Sequence, residues 1–564
     1  MRISAALFIA AGILMQQPAG DRPSGNTRGT RSVVMARHGV IATSQPLATA
    51  AGLRVLQEGG NAIDAAVTAA AVLSVVEPTM NGPGGDLFAI VYSAKDKKVH
   101  GLNASGRAPA AATLDEFKKR DLPRIPLRGE LSVSVPGIVD GWNELLTKHG
   151  TRTLAQALQP AIGYARDGYA VSEIIAGQWK EVEGLLARDP SAASTFLVNG
   201  KAPAPGDVFR NPRLAASLEL IAKEGRDAFY KGAIAKAIAD DMQRRNGLLT
   251  AKDLADHHAD WVEPRSTTYR GYQVLELPPN TQGVAALEML NIMEGFDLKS
   301  LGHNTAPYLH ALVEAKRIAF ADRGAWLGDA STTPPAAIER MLSKDYAAAR
   351  RKEINPDKAA ADYAPLALDG RSTPAGGEEP AGHGDTVYLT AADSDGNVIS
   401  LIQSLYETFG SGIVAGDTGI VLHDRANLFT LTPGHPNQLA PGKRPFHTLI
   451  PAMVMKDGVP WVSFGVMGGD MQAQGHAQVL ANLIDFGMNI QEAGEAPRFR
   501  DSQAGLALES AFSADARAGL TARGHKLITS VGVWGGFQGI LIDPKTHVLQ
   551  AGSDPRKDGQ AAGW

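Results

Sequence analysis

Apolar side chains recur along this chain with two different periods. Residues 47–56 carry the 3.6-residue spacing of a helix stopped by Gly59-Gly60, and residues 61–76 form a second, alanine-rich run that ends before Pro78. Both are expected to be buried. From about residue 150 to 260 amphipathic helical patterns dominate, after which residues 269–277, YRGYQVLEL, predict a strand entering Pro278-Pro279. Periodicity vanishes over residues 369–385, DGRSTPAGGEEPAGHGD, which reads as an exposed linker. It stops at a period-2 pattern: residues 386–392 predict a strand, 393–397 (DSDGN) a turn and 398–404 a second strand, a hairpin that begins at a threonine. Further on, residues 459–466 read as a buried strand, 467–470 (MGGD) as a turn, and 472–486 as a helix ended by Gly487. No repeat of solenoid or propeller period is present.

Composition narrows the chemistry. The 564 residues, 44% hydrophobic, suffice for two ordinary domains or one large multilayered core. A net charge of -4 gives no reason to expect a nucleic-acid partner, so a small molecule or peptide is expected. The absence of cysteine excludes a thiol nucleophile, disulfides and thiolate metal sites. Met1-Arg2, the apolar run 3–15 and the small-residue exit at 16–20 have the form of an export signal, too short for a stable membrane span. The processed protein is therefore expected in the periplasm or secreted. Phosphate-loop, zinc-helix and serine-elbow motifs are all missing. His257-His258 with Asp260 reads as a polar cluster at a helix end rather than a metal site, and Gly82-Pro83-Gly84-Gly85-Asp86 as a tight turn.

Thr386 stands where linker becomes strand. In an intact chain it is an ordinary strand residue. If the Asp385–Thr386 bond is cut, the freed α-amine lies beside the threonine hydroxyl and can act as its general base. An α-amine has an ordinary pKa of about 7.7 to 8.0, so no histidine is required. Gly468 and Gly469 stand at a helix N-terminus, with Asp470 as a candidate cap. Backbone N–H groups there favour a developing oxyanion, although a plain strand-to-helix turn has the same signature.

Eight collinear segments carry a resemblance: GGNAIDAAVTAAAVLSVVEP (59–78), GPGGDLFAI (82–90), SVPGIVDGW (134–142), GDTVYLTAADSDGNVIS (384–400), FGSGIVAGDTGIVLHD (409–424), APGKRPFHTLIPAMV (440–454), MGGD (467–470) and GSDPR (552–556). Beyond residue 20 nearly the whole chain resembles the γ-glutamyltransferase family. The resemblance implies an α+β fold, the four-layer αββα sandwich of N-terminal-nucleophile hydrolases. It implies a precursor that cuts itself into a large subunit, 21–385, and a small subunit, 386–564, which stay together as a heterodimer and allow a dimer of heterodimers. Thr386 falls on the nucleophile, Ser404 on the hydroxyl that supports its new amine, and Gly468 and Gly469 on the oxyanion hole. Glutathione or γ-glutamyl peptides are the default substrates, with neither metal nor organic cofactor implied.

The substrate pocket departs from that pattern. Leu428 replaces the acid that holds the substrate α-amine, and an apolar side chain cannot pair with an ammonium. Tyr406 replaces a substrate-binding asparagine, and His447-Thr448 replace paired serines. His447 is then either a substrate contact or a satisfied structural histidine. Ser105 takes the place of the carboxylate-binding arginine, with Arg107 two residues on and able to grip a carboxylate from a shifted loop. Arg425, in place of a glutamine, is either a second carboxylate ligand or a solvated loop charge. Residues 433–445 are shorter than the segment that carries the family's lid, so a more open pocket is expected. These changes are similar to those of the acylase and oxamate amidohydrolase branch, whose substrates bear a carboxylate but not always an α-amine. The competing reading from another class is an uncut, non-catalytic periplasmic binding protein on the same fold.

Overall fold

In the computed structural model the described residues are 29–368, 385–529 and 534–564. The expected export signal, 1–20, and the linker residues 369–384 lie outside them. Asp385, expected to close the linker, instead opens the strand Asp385–Asp393.

The first two expected helices are found at Pro46–Gln57 and Ala62–Val76. Asn61 caps the second, its side chain accepting from the backbone N–H groups of Ile63 and Asp64 while Asp64 returns a bond to Asn61 N–H. The expected hairpin is also present, Asp385–Asp393 against Val398–Tyr406. Asp393 organises its turn: Oδ1 accepts from the N–H groups of Asp395 and Asn397, and Oδ2 from Ala62 N–H at 2.8 Å. One expectation is corrected. Residues 269–277 are not a single strand but the second half of a hairpin, Arg265–Tyr269 and Tyr272–Glu276. Arg270 and Gly271 both turn through positive φ, 51° and 84°, the geometry that reverses a two-residue hairpin.

Two seven-stranded sheets form the centre. The first runs Gln560–Gly563, Gly39–Thr43, Asp385–Asp393, Val398–Tyr406, Asp86–Ser93, Lys98–Asn103, Asp260–Val262. The second runs Val34–Ala36, Leu549–Ser553, Phe537–Ile542, Val459–Val466, Ala452–Lys456, Tyr272–Glu276, Arg265–Tyr269. They face each other across a core that includes Phe88, Tyr388, Ile402, Met453 and Ile540, and Thr390 and Ser463 join them by a 2.7 Å hydroxyl bond. Helices Pro46–Gln57 and Ala62–Val76 cover the outer face of the first sheet; Gly283–Met293, Ala306–Trp326 and Met471–Ile484 cover the second. With both faces covered, the strand Val398–Tyr406 is buried at every position, and polar residues in it must find partners inside the protein. No described helix is long and apolar enough to cross a membrane.

Candidate active site

Asp385 pairs with Tyr406 and Val387 with Gln403, so the register shifts at residue 386. Thr386 therefore lies in a bulge against Ser404 and Leu405, where the ladder is locally broken and a side chain is re-aimed. Its Oγ1 donates to Ser404 Oγ at 3.3 Å. Ser404 Oγ also accepts from Tyr406 N–H at 2.7 Å, a bond made possible by the left-handed backbone of Tyr406, φ 81°. A bulky residue held there costs roughly 1–3 kcal/mol. Glycines 84 and 85 admit this strand end. A Cβ on Gly84 would stand 2.0 Å from Val421 O, and one on Gly85 2.4 Å from Ser404 O. The GPGGD segment is thus a close backbone approach to Ser404 at the end of the strand Val398–Tyr406 and to Val421, more than the tight turn expected from its glycines.

Gly468 and Gly469 link the strand Val459–Val466 to the helix Met471–Ile484, with φ 108° and 59°. Neither N–H donates a backbone bond to a described residue. Asp470 stands at the helix start, but its side chain makes no cap; it pairs with Arg323 Nη1 at 2.5 Å. Arg323 Nη1 also donates to Gln282 Oε1, and Gln282 Nε2 donates to Gly469 O at 3.2 Å and Thr448 O at 2.8 Å. Gln282 and Arg323 thus brace the glycine turn, yet neither stands out in the sequence, because their partners lie far along the chain.

The expected pocket residues divide. Arg425, Tyr406 and Thr448 come together: Arg425 Nη1 donates to Thr448 Oγ1 at 2.9 Å, and its guanidinium lies 4.4 Å from the Tyr406 ring centre. Burial, with help from the nearby Glu407 and Asp470 carboxylates, pushes the Tyr406 phenol far up, so it stays protonated. Arg425 is 0% exposed, which removes the solvated-loop reading. Burial lowers its guanidinium to about 10, leaving it cationic at neutral pH.

His447 is a partner of the core. Its Nε2 lies 3.1 Å from Asp86 Oδ2, and its Nδ1 accepts from Leu449 N–H. Burial and then the Arg425 charge bring the ring down to about 3, so it is neutral. Burial works against the charge of Asp86, but His423, His447 and Arg425 outweigh it and hold the carboxyl at about 2.

Arg107 lies apart from this group. Its guanidinium pairs with Asp260 at 2.9 Å and donates to His258 O at 3.0 Å, and Arg444 converges on the same two residues. Ser105, in the place of the family's arginine, is fully buried against Asn103 and Asn280.

Leu428 is buried, its carbonyl accepting from Asn437 Nδ2. The short 433–445 segment packs closely in the uncut chain. That stretch folds back on the 105–108 loop through Ala108 N–H to Lys443 O and Gly442 N–H to Ala108 O, and Thr386 is only 2% exposed. Only one of the two neighbouring histidines meets Asp260: His258 Nε2 lies 3.6 Å from Asp260 Oδ1 on the exposed side, whereas His257 is buried and stacked on Tyr230. A different set, His310, Glu314 and His525, has its ligand atoms within 4.8 Å of one another. There His310 bonds His525 at 2.7 Å, and Glu314 accepts from Tyr363 and Ala360.

Residues 48–564 match the model of the Gamma-glutamyltranspeptidase family. The chain belongs to that family. It is 40% identical over 553 residues to the glutathione hydrolase-like YwrD proenzyme of Bacillus subtilis, covering 95% of this chain and 99% of that protein. It is 38% identical to the acylase ACY 1 proenzyme of a Pseudomonas species, covering 90% of each. Among solved structures, cephalosporin acylase from Bacillus halodurans superposes with a TM-score of 0.88 at 41% identity, covering 98% of this chain and 99% of that one. As a gamma-glutamyltranspeptidase family member the chain is an enzyme, an autoprocessing amidohydrolase on the α+β N-terminal-nucleophile sandwich expected from its sequence. The non-catalytic reading is set aside.

Proposed function

We propose that the chain cleaves itself between Asp385 and Thr386 and then hydrolyses or transfers a γ-glutamyl or related carboxylate-bearing acyl group through an ester on Thr386. The observation that carries this reading is the bulge that sets Thr386 Oγ1 against Ser404 Oγ, one residue into the strand Asp385–Asp393. In the precursor, Thr386 Oγ attacks the carbonyl carbon of Asp385, the C–N bond breaks as the amine takes up the proton, and water hydrolyses the resulting ester. The released α-amine then serves as base for attack on the substrate amide. Gly468 and Gly469 N–H groups, their turn fixed by Gln282, receive the oxyanion, and Ser404 holds the nucleophile in place. Water or an acceptor amine releases the acyl group. The subunits are 21–385 and 386–564, exported to the periplasm or beyond by the segment 1–20. Arg107, with its charge already balanced by Asp260, would serve the substrate only by exchanging that partner.

Intact mass and N-terminal sequencing of the wild type beside Thr386→Ala test this. Two wild-type chains, the smaller beginning at Thr386, with an uncut variant, are expected. A wild-type chain that stays single on prolonged incubation overturns the reading.

A further inference from the structure

Two arginines rank among the largest side chains that are fully buried, Arg425 and Arg498. They are treated very differently. Arg498 donates to Trp534 O and Gly494 O and pairs with Asp554 at 2.7 Å. Among the described residues the Arg425 side chain has one acceptor, Thr448 Oγ1, and its Nε and Nη2 have none. Its acidic neighbours are directed elsewhere: Asp86 to His447 and Gly106 N–H, and Asp424, through Oδ1, to Glu407 N–H with Arg128 3.8 Å from Oδ2. A buried cation with unmade hydrogen bonds is among the costlier features a core can hold.

The two idle groups have a particular geometry. Nε and Nη2 share one edge of the planar guanidinium, the edge that grips a carboxylate with two parallel N–H···O bonds. Thr448 on the opposite nitrogen and the Tyr406 ring on the face fix the orientation of that edge. Arg425 also links the two arms of the reaction centre. Through Tyr406, whose N–H holds Ser404 Oγ, it reaches Thr386; through Thr448 and Gln282 it reaches Gly469. Asp385 pairs with Tyr406 in the uncut chain, so scission vacates the strand position next to the ring that carries Arg425.

We infer that Arg425 is the anchor for the substrate's carboxylate, and that the acyl group this enzyme accepts best is that of a short dicarboxylic acid monoamide without an α-amine. This rests on the acyl-threonine reading above. The 3-10 turn from Arg425 to buried Leu428 carries no acid, Asp424 just before it is directed to Glu407 N–H and Arg128, and the guanidinium repels an ammonium.

The test uses three anilides with matured enzyme: glutaryl-p-nitroanilide, its methyl ester and γ-glutamyl-p-nitroanilide. Wild type should prefer the free acid over the ester by about tenfold or more in kcat/KM, the scale of a lost charged hydrogen-bond pair, and over the γ-glutamyl compound as well. Arg425→Gln should remove most of the acid-to-ester preference, mainly through KM, while still yielding the two chains. Should that variant fail to mature, Arg425→Lys, which keeps the charge but loses the two-point edge, is read in the same way. A wild type indifferent to esterification, or a matured variant that keeps the acid-to-ester ratio, overturns the assignment of Arg425; a clear wild-type preference for the α-amine overturns the substrate class. Neither result touches the acyl-threonine reading, which fails separately if no chain begins at Thr386 or none of the anilides turns over.

Discussion

Ser404 holds two hydrogen bonds on one oxygen, from Thr386 Oγ1 and from Tyr406 N–H. Removing that oxygen loosens the nucleophile and releases a strained tyrosine backbone at once. Ser404→Ala should slow both self-cleavage and anilide turnover by about tenfold to a hundredfold, whereas Ser404→Thr, which keeps the hydroxyl, should retain most of each. A time course of chain scission on a denaturing gel, beside initial rates, reads both; an alanine variant that matures at the wild-type rate would place the support of Thr386 elsewhere. Thr386 and Ser404 are legible in sequence because they lie on neighbouring strands joined by a short turn. Gln282 and Asp86 are not, since their partners at 448, 469 and 447 come from distant segments. Arg425 illustrates a different limit: charge in a sequence does not reveal burial, and burial is what gives this arginine its meaning.

At the scale of elements, the turn between the two nucleophile strands reaches outward to the helical layer. Asp393 closes the turn through Asp395 and Asn397 and accepts Ala62 N–H at the start of the helix Ala62–Val76. Asp393→Ala leaves those donors without their acceptor, and a loss of about 1–3 kcal/mol of stability is expected, with kcat/KM unchanged because the site lies at the other end of the strands. Denaturant unfolding beside steady-state kinetics separates the two effects; a matching fall in kcat/KM would mean that the turn communicates with Thr386. Most elements of the sandwich are readable from periodicity, since each buries a face with its own spacing. The hairpin at 265–276 is hidden because an arginine in the left-handed region, at 270, carries no sequence signature of the kind its glycine neighbour has.

Across the whole molecule, the bond proposed to break lies inside a continuous sheet. Leu389–Asp393 is paired with Gly39–Thr43, and Val398–Ser404 with Asp86–Tyr92, so scission leaves these two ladders between the pieces intact. Side chains cross the same divide. Arg128 from the first piece lies 3.6 Å from Glu407 and 3.8 Å from Asp424 in the second, and donates to Thr408 O and Gly410 O. Burial outweighs the attraction of Arg128 and pushes the Asp424 carboxyl from 3.8 up to about 8. The folded chain therefore keeps a proton that the unfolded chain has already released, and between pH 4 and pH 8 the native state binds more protons than the unfolded state. Stability from this residue is fully present below the unfolded value and falls as pH rises towards the folded one. Thermal midpoints taken from pH 5 to pH 9 should decline in the wild type. Asp424→Asn, which presents an amide where the protonated carboxyl stood, should decline less than the wild type between pH 5 and pH 8. Parallel curves for the two proteins would show that Asp424 is ionised throughout, its charge met by Arg128, and that the acid-side stability of the joined pieces comes from other buried carboxyls such as Glu276 and Glu288, both held far above their ordinary range by burial.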